Sequence, residues 1–306
     1  MSRFNKELRI AVKLGRTAIK ITEWFRERGV KSFLKGDRSP VTLADLASQL
    51  YITTRLKYHF PEDMIIAEEE NIEFIDNKAE KQIKKCFNDL NLDNLRDIKE
   101  KFEYRGKPSQ RQWTIDPIDG TMGFQKGLYY AVGIGFMINS TPKICAIAAP
   151  NYNGASLAIF SAVDGKGAQV SFDNRDFNSI NVSQEDDLKS IRFCHSLHYD
   201  KPWIMEFARK IGIKKFIQID GMAKFCMVAD GSADLYLKPL NLQISNSWDF
   251  LPGDLLVREA GGSVTDLNGV QLNFKDNKCL CTAPGIIASN GFVQKKIVDL
   301  IKKEPI

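Results

Sequence analysis

The stretch Trp-Thr-Ile-Asp-Pro-Ile-Asp-Gly-Thr (113–121) joins a short apolar run to two carboxylates and a turn. Residues 113–115 have the aromatic and β-branched character of a strand, and the Asp-Gly pair that follows is a turn dipeptide. Pro117 has a fixed backbone torsion and no N–H donor, so two carboxylates and the Ile118 carbonyl can converge on one point. We therefore predict a strand that ends in a cluster of oxygen atoms.

Three further acidic positions stand where a predicted strand ends or a predicted helix begins. They are Asp45 in the capping-box pattern that opens at Thr42, a run of glutamates (68–70) after a short apolar strand, and Asp249 before a predicted helix over 251–260. Each has an ordinary structural explanation when taken alone, as a helix cap or a turn residue.

Taken together, the acidic positions predict a metal site made only of oxygen ligands. Mg²⁺ binds carboxylates, carbonyls, water and phosphate oxygens. The chain has three histidines and no spaced Cys/His set, which argues against zinc. Several carboxylates in one place repel each other unless cations neutralise them, and paired metal ions are common in phosphate-ester hydrolysis.

Composition predicts a reduced, globular, cytoplasmic protein. The 306 residues are 43% hydrophobic and 26% charged, enough apolar material for two domains or one large one. No apolar run reaches the roughly 20 residues of a membrane span, and the N-terminus lacks a signal-peptide pattern. The six cysteines form no C-x-x-C pair.

Charge alone does not decide the partner. The net charge of +5 is mixed along the chain and would suit an anionic small molecule as well as a nucleic acid. Because the basic residues are not clustered with aromatic residues, we expect no nucleic-acid partner and no membrane partner.

The hydrophobic pattern predicts two differently built halves. Residues 8–22 and 42–58 have helical periodicity, and strand patterns separated by turns follow up to residue 172. From residue 191 onward, strands and helices alternate, which is typical of an α/β layer. We predict an α+β domain over 1–175 with an antiparallel sheet and most of the metal ligands, a boundary within 173–189, and an α/β domain over 188–306 that carries Asp249.

Two long motifs carry a family resemblance. Residues 113–121 and Trp-Asp-Phe-Leu-Pro-Gly-Asp-Leu-Leu-Val-Arg-Glu-Ala-Gly-Gly (248–262) resemble the signatures of the inositol monophosphatase superfamily. The resemblance extends from residues 39–45 to residues 287–291. It implies a layered αβαβα sandwich of the sugar-phosphatase type (α+β and α/β), and a magnesium-dependent, lithium-sensitive phosphatase.

The resemblance also implies a set of ligands for two or three Mg²⁺ ions. These ligands are Asp45, Glu68, Asp116, Ile118 (through its carbonyl), Asp119 and Asp249. Asp116 would contact two of the ions, and Glu68 with Asp45 would form the third site. Glu69 is the alternative to Glu68. The family's motif is Gly-Glu-Glu, and the corresponding segment here is Ala-Glu-Glu-Glu (67–70), in which either glutamate could be the ligand.

The resemblance gives catalytic and phosphate-binding roles to the turn after the strand. Thr121, paired with Asp45, would orient and deprotonate the attacking water. The backbone amides of Gly120 and Thr121 would hold the phosphate, as a helix start can hold an anion.

Within the superfamily, the chain is most similar to the 3′(2′),5′-bisphosphate nucleotidase branch. Asp-Gly-Thr-Met-Gly-Phe (119–124) resembles the branch's Asp-Gly-Thr-Lys-Gly-Phe, with Met122 in place of the basic residue. The His-Ser-Leu-His segment (195–198) resembles the branch's His-Ser-x-His. The implied nucleotide-side residues are His195, His198, Gly221, Lys224 and Lys238, the last standing where some members have Arg.

The implied reaction is hydrolysis of the 3′-phosphate of adenosine 3′,5′-bisphosphate to AMP and phosphate, and also of its 5′-phosphosulfate analogue. The substrate would then be a small bisphosphonucleotide and lithium an inhibitor. An inositol polyphosphate 1-phosphatase with the same site is the first alternative. A non-catalytic nucleotide or lithium sensor with the same fold is the alternative from another class.

Overall fold

The computed structural model describes residues 4–29, 31–36, 39–70, 72–93, 97–198, 201–242 and 245–303. The helices in these ranges are α1 (Asn5–Glu27), α2 (Leu43–His59), α3 (Asn77–Asp89), α4 (Ile98–Glu103), α5 (Thr121–Gln125), α6 (Pro202–Lys210), α7 (Ala223–Ala229), α8 (Ser247–Glu259) and α9 (Gln294–Lys303).

The strands in the same ranges are β1 (Ser32–Leu34), β2 (Pro40–Thr42), β3 (Met64–Ala67), β4 (Arg111–Asp119), β5 (Ala131–Ile138), β6 (Thr141–Pro150), β7 (Leu157–Val163), β8 (Ala168–Phe172), β9 (Asn178–Ile180), β10 (Arg192–His195), β11 (Lys215–Gln218), β12 (Leu235–Pro239), β13 (Ser263–Asp266), β14 (Asn273–Lys275), β15 (Lys278–Leu280) and β16 (Gly285–Ser289).

The first large sheet has seven strands in the order β3-β4-β5-β6-β7-β8-β9. β3 runs parallel to β4, and every later pair in this sheet is antiparallel. The expectation of an antiparallel sheet is therefore confirmed for all but its first pair. The polar segment over 173–189 is not only a connection, because β9 lies inside it and pairs with β8.

The second large sheet has five strands in the order β11-β10-β12-β16-β13. β10 is parallel to β11 and β12, whereas β16 is antiparallel to β12 and β13. The parallel strands are joined through α6 and α7, as an α/β layer requires. The alternation predicted from residue 191 onward is thus present.

Three clusters of buried apolar side chains separate five layers. The first joins α1 and α2 to one face of the seven-stranded sheet. The second places α7 and α8 between the two sheets, and the third places α6 and α9 on the outer face of the five-stranded sheet. This arrangement is the expected αβαβα sandwich. No helix in the described parts of the chain is long and apolar enough to cross a bilayer.

Helix α8 links the two halves of the chain. It belongs by sequence to the C-terminal half, yet it packs on β4, β5, β6 and β7 of the first sheet. It begins at Ser247 with Asn246 as its N-cap. The expectation that Asp249 caps a helix over 251–260 is therefore wrong, because Asp249 lies within the first turn of a helix that starts earlier.

Candidate active site

A β-bulge shapes the end of β4. Asp116 pairs with Gly133 of β5, and Asp119 pairs with Ala131, so β4 holds one more residue than its partner between these pairs. Pro117 lies in the bulge, where a residue without an N–H is tolerated in a sheet. The Asp116 Oδ1 accepts a hydrogen bond from the Ile118 amide over 3.1 Å. The bulge thereby turns residues on both sides of Pro117 toward one cavity.

Two glycines bring the two halves of the chain into contact beside this bulge. Gly120 has φ +96° and Gly221 has φ +66°, a region that other residues rarely adopt. A Cβ on Gly221 would lie 2.5 Å from the Asp119 carbonyl oxygen, and one on Gly120 would lie 3.4 Å from the Gly221 nitrogen. The loop that starts α5 is therefore seated directly on the loop that precedes α7.

A cavity of about 950 Å³ opens at this contact. Ten of the residues predicted to form the site line it: Glu68, Asp116, Ile118, Asp119, Gly120, Thr121, Gly221, Lys224, Lys238 and Asp249. We call Glu68, Asp116, Asp119 and Asp249 the acid wall, and Lys224 with Lys238 the lysine wall. The structure thus brings together the residues predicted for metal ions, apart from Asp45, and most of those predicted for a nucleotide.

The acid wall is electrostatically unfavourable. Burial raises the pKa of Asp116 well above its usual value, and repulsion from Glu68 and Asp119 raises it further. Burial likewise raises the pKa of Asp249 to about 7, and only the nearby Lys238 opposes this shift strongly. Carboxyl groups in this state are stabilised by a bound cation.

The lysine wall lies beside aromatic rings, with Lys224 buried and Lys238 half-buried. Lys224 is 5% exposed, and burial lowers the pKa of its ammonium group while Asp119 raises it. Its Nζ lies 5.3 Å from the centre of the Tyr236 ring, and the Lys238 Nζ lies 4.5 Å from that of Phe250. Two cations in such a pocket favour an anionic ligand with a flat apolar part.

Asp45 is fully buried outside the cavity lining, where it has a structural role and contacts Thr121 of the site. Its carboxylate accepts hydrogen bonds from the Thr42 amide (2.8 Å) and hydroxyl (2.5 Å), which completes the predicted capping box of α2. The Thr121 hydroxyl lies 3.3 Å from Asp45 Oδ1 and 3.1 Å from the Ile118 carbonyl. Burial raises the Asp45 pKa to about 7, although the Thr42 hydrogen bonds oppose it. This carboxyl group can therefore accept a proton near neutral pH.

The structure distinguishes the two glutamates that the sequence left open. Glu68 lines the cavity, whereas Glu69 is fully buried and its backbone amide and carbonyl are both hydrogen-bonded to the Gln49 side chain. Lys35 lies between their carboxylates, with its Nζ 2.8 Å from Glu68 and 2.7 Å from Glu69. The position of Glu68 supports its choice as the ligand.

The donor set fits Mg²⁺ by its chemistry. The acid wall offers carboxylate oxygens, and the backbone of Ile118 beside it offers a carbonyl oxygen. Both are ligands of a hard divalent cation. Within the described ranges, no three His, Cys, Asp or Glu side chains already have the geometry of a metal site. The Lys35 ammonium group supplies part of the positive charge that these carboxylates need.

The two histidines of the 195–198 segment lie outside the cavity lining. His195 ends β10 and faces Phe193 and Phe216, with ring centres 6.1 and 6.3 Å away. His198 contacts Asp220 and Lys126 instead. Neither geometry places a histidine against a nucleotide, and their predicted role stays a prediction.

Several residues of the site were not singled out from the sequence. Ser196, Lys201, Phe225, Tyr236, Asn241, Ser245 and Phe250 line the cavity, and Lys35 contacts the acid wall. Their positions depend on packing between distant segments, so no local pattern marks them. One signal existed for Lys35, because it precedes the 39–45 motif within the same polar turn.

The chain belongs to the inositol monophosphatase family, whose sequence profile matches residues 5–304. Among its curated relatives, the 3′(2′),5′-bisphosphate nucleotidase of Emericella nidulans is 30% identical, over 94% of this chain and 95% of the relative. The protein of the same name from Schizosaccharomyces pombe is 29% identical, over 97% of this chain and 95% of the relative. A 3′,5′-bisphosphate nucleotidase of Arabidopsis thaliana is also 29% identical, over 98% and 97%. Within the family, the chain is thus similar to bisphosphate nucleotidases, as the sequence motifs indicated.

Solved structures support the fold. An IMPase from Thermotoga maritima superimposes with a TM-score of 0.72 at 22% identity, covering 97% of each chain. An inositol monophosphatase from Anabaena superimposes with a TM-score of 0.70 at 22% identity, covering 99% of this chain and 98% of that one. The sugar-phosphatase type of sandwich is confirmed.

Proposed function

We propose that the protein is a cytoplasmic, magnesium-dependent phosphatase that removes the 3′-phosphate from adenosine 3′,5′-bisphosphate, leaving AMP. One observation carries this proposal: the acid wall and the lysine wall line one and the same cavity. Metal ions would bind at the acid wall. The second phosphate of the substrate, which is not hydrolysed, would bind at the lysine wall. The names of the relatives in fungi and plants agree with this substrate.

In this proposal, the acid wall with the Ile118 carbonyl would hold two Mg²⁺ ions, and Glu68 with Asp45 would hold a third. When bound, the ions polarise the phosphoryl group and lower the pKa of water. Asp116 would be shared by two ions, since it is close to both Glu68 and Asp119, whose charges add to the effect of burial in raising its pKa. Asp119 and Asp249 lie on the side nearer Lys238, where the ribose oxygen would leave.

Thr121 and Asp45 handle the proton of the attacking water. The Thr121 hydroxyl can donate to Asp45 and accept from a water that faces the cavity. Asp45 is buried and tied to α2 by the capping box, so its position is rigid. A buried carboxylate at hydrogen-bond distance from the Thr121 hydroxyl is placed to take up this proton through the threonine.

The nucleotide end of the substrate occupies the lysine wall. Lys224 and Lys238 would bind the 5′-phosphate, and the rings of Phe225, Tyr236 and Phe250 offer apolar surface to the adenine. A 5′-phosphosulfate would carry its charge in the same place. Inhibition by lithium would follow from competition of a small cation for the acid wall.

A phosphate-release assay tests the proposal. Adenosine 3′,5′-bisphosphate, its 5′-phosphosulfate analogue, inositol 1,4-bisphosphate and inositol 1-phosphate are compared with Mg²⁺, with EDTA, and with Mg²⁺ plus Li⁺. We expect the highest kcat/KM for the adenine bisphosphate, no turnover in EDTA and inhibition by Li⁺. A clear preference for the inositol bisphosphate would instead support the first alternative, and nucleotide binding without turnover would support the sensor.

A further inference from the structure

Asp220 is a buried carboxylate outside the acid wall whose hydrogen bonds gather one loop. It is 1% exposed and follows β11 by two residues. Its Oδ1 accepts from the Leu197 amide (2.9 Å) and the Ser196 hydroxyl (3.2 Å). Its Oδ2 lies 2.5 Å from the His198 Nδ1. The 196–198 loop is thus folded around one carboxylate.

His198 extends this contact to α5. Its Nε2 lies 2.9 Å from the Nζ of Lys126, the residue that ends α5. A lysine ammonium group can only donate, so the His198 Nε2 accepts and its Nδ1 carries the proton that is donated to Asp220. The imidazole therefore bridges a buried anion and a cation in one defined tautomer.

Asp220 also lies directly against α5. A Cβ on Gly123, in the middle of this helix, would come within 3.1 Å of the Asp220 Oδ2. The neighbouring Gly221 presses on the backbone of Asp119 just before α5. One side of the helix therefore rests on residues 220–221, and its end is held by His198.

A helix of five residues cannot hold its own orientation. Forming a first helical turn is unfavourable in isolation, so tertiary contacts decide where α5 points. Thr121 is its first residue and faces Asp45 across the site. A small tilt of α5 would move the Thr121 hydroxyl away from its partners.

We infer that His198 and Asp220 form a latch that positions α5, and with it Thr121, for phosphate hydrolysis, and that His198 makes no contact with the nucleotide. His198 is thus a positioning residue. The inference rests on the proposed function, since it assigns Thr121 to the chemistry. It differs from the sequence-based expectation, in which His195 or His198 contacts the base or ribose.

Two substrates separate the latch from a base contact. His198→Ala, His198→Asn and Lys126→Met are assayed with adenosine 3′,5′-bisphosphate and with glycerol 2-phosphate, which has no base. We expect His198→Ala to lower kcat on the order of tenfold or more for both substrates, because misplaced catalytic groups lose rate steeply. KM for the nucleotide should stay within about twofold, since no binding group is lost.

Rescue by a conservative change distinguishes positioning from general stability. The His198→Asn amide can donate to Asp220 from nearly the position of Nδ1, so it should recover part of kcat, whereas Lys126→Met should lose less than His198→Ala. His59→Ala and Lys143→Met are matched controls, because both residues are half-buried and neither lines the cavity. Thermal midpoints, measured for every variant, should lie well above the assay temperature.

A rise in KM for the nucleotide alone, with glycerol 2-phosphate turnover unchanged, would overturn the inference in favour of a base contact. Unchanged kcat in His198→Ala would overturn it as well. The proposed function is judged separately, on the substrate preference of the unmodified protein. If that preference fails, the glycerol 2-phosphate comparison still decides the latch.

Discussion

Without a ligand, both walls of the cavity raise the free energy of the folded state. The acid wall does so through buried negative charges, and the lysine wall through buried positive charges. Burial and repulsion between carboxylates raise the pKa values of Asp116 and Asp249. Burial lowers that of Lys224, which stands among aromatic side chains. The lysine wall partly compensates the acid wall, since burial raises the pKa of Asp119 and the charges of Lys238 and Lys224 oppose that rise. The comparison shows a site in which the acid wall would be stabilised by a cation and the lysine wall by an anion.

The strongest way to break the acid wall is Asp116→Asn or Asp119→Asn. Each keeps the shape but removes a charge that Mg²⁺ needs, so we expect kcat/KM to fall on the order of a thousandfold or more. The metal-free variant should be as stable as the unmodified protein or more so, because a repelling charge is gone. Phosphate release and thermal unfolding with and without Mg²⁺ measure both effects.

Two results would contradict this assignment. One is near-normal turnover in either variant. The other is a thermal midpoint that Mg²⁺ raises equally in Asp116→Asn and in the unmodified protein. Asp254→Asn is a useful control. Asp254, in α8, is a buried carboxylate like Asp116, but it pairs with Arg258 and does not line the cavity.

Next in size is the loss of the proton relay at the edge of the acid wall. Thr121→Ala and Asp45→Ala should each lower kcat about a hundredfold, and the double variant should be little worse, since groups acting as a unit are not additive. Asp45→Ala should also destabilise the protein by about 0.5–2 kcal/mol through the lost cap of α2. Losses of kcat that multiply in the double variant would argue against the relay.

On the lysine wall, Lys224→Ala should weaken use of adenosine 3′,5′-bisphosphate through KM. The expected loss is about 1.5–3 kcal/mol, the value of a hydrogen bond to a charged group. Glycerol 2-phosphate, which has no second anion, should be affected much less. Equal losses on the two substrates would remove Lys224 from recognition of the second phosphate.

The smallest effect that we expect is a dependence of the stability of the metal-free protein on pH. Burial raises the pKa of Asp45 and of Asp249 to about 7, so the folded state binds more protons than the unfolded state between about pH 4 and 7. Stability of the metal-free protein should therefore fall as pH rises across that range, by a few degrees in thermal midpoint. Saturating Mg²⁺ should reduce this dependence. A metal-free midpoint that rises steadily from pH 5 to 7.5 would contradict these shifts.

Local sequence signals predicted most of the acid wall and little of its surroundings. The capping box at Thr42 and Asp45, and the proline-containing strand end at Asp116, are short-range patterns whose geometry follows from neighbouring residues. By contrast, the seat of α5 on Gly221 joins positions a hundred residues apart in sequence, and no periodicity signals it. The fold class was predictable, since strands follow one another in the first half of the chain and alternate with helices in the second.

Boundaries were harder to predict than elements. β9 is only three residues long, and Asn178 and Ser179 are polar and exposed, so its composition resembles that of a linker although it pairs with β8. Helix α8 starts at Ser247, before the apolar run that marks it in the sequence. Ser247 and Trp248 are buried by contacts with other elements, and the local hydrophobic pattern does not show such contacts. The contacts of His198 were hard to predict for a similar reason, as its partner Asp220 is 22 residues away in sequence.

The placement of α8 has a consequence for the order in which the chain is synthesised. The seven-stranded sheet is complete once β9 has emerged from the ribosome, but one of its faces, with Ile147 and Phe160, is covered by the layer to which α8 belongs. About 80 further residues must be made before α8 is complete, which takes about 4–16 s at typical elongation rates. During that interval the nascent chain presents a broad apolar sheet, a surface that chaperones recognise. Folding of the first half is thus completed by the second.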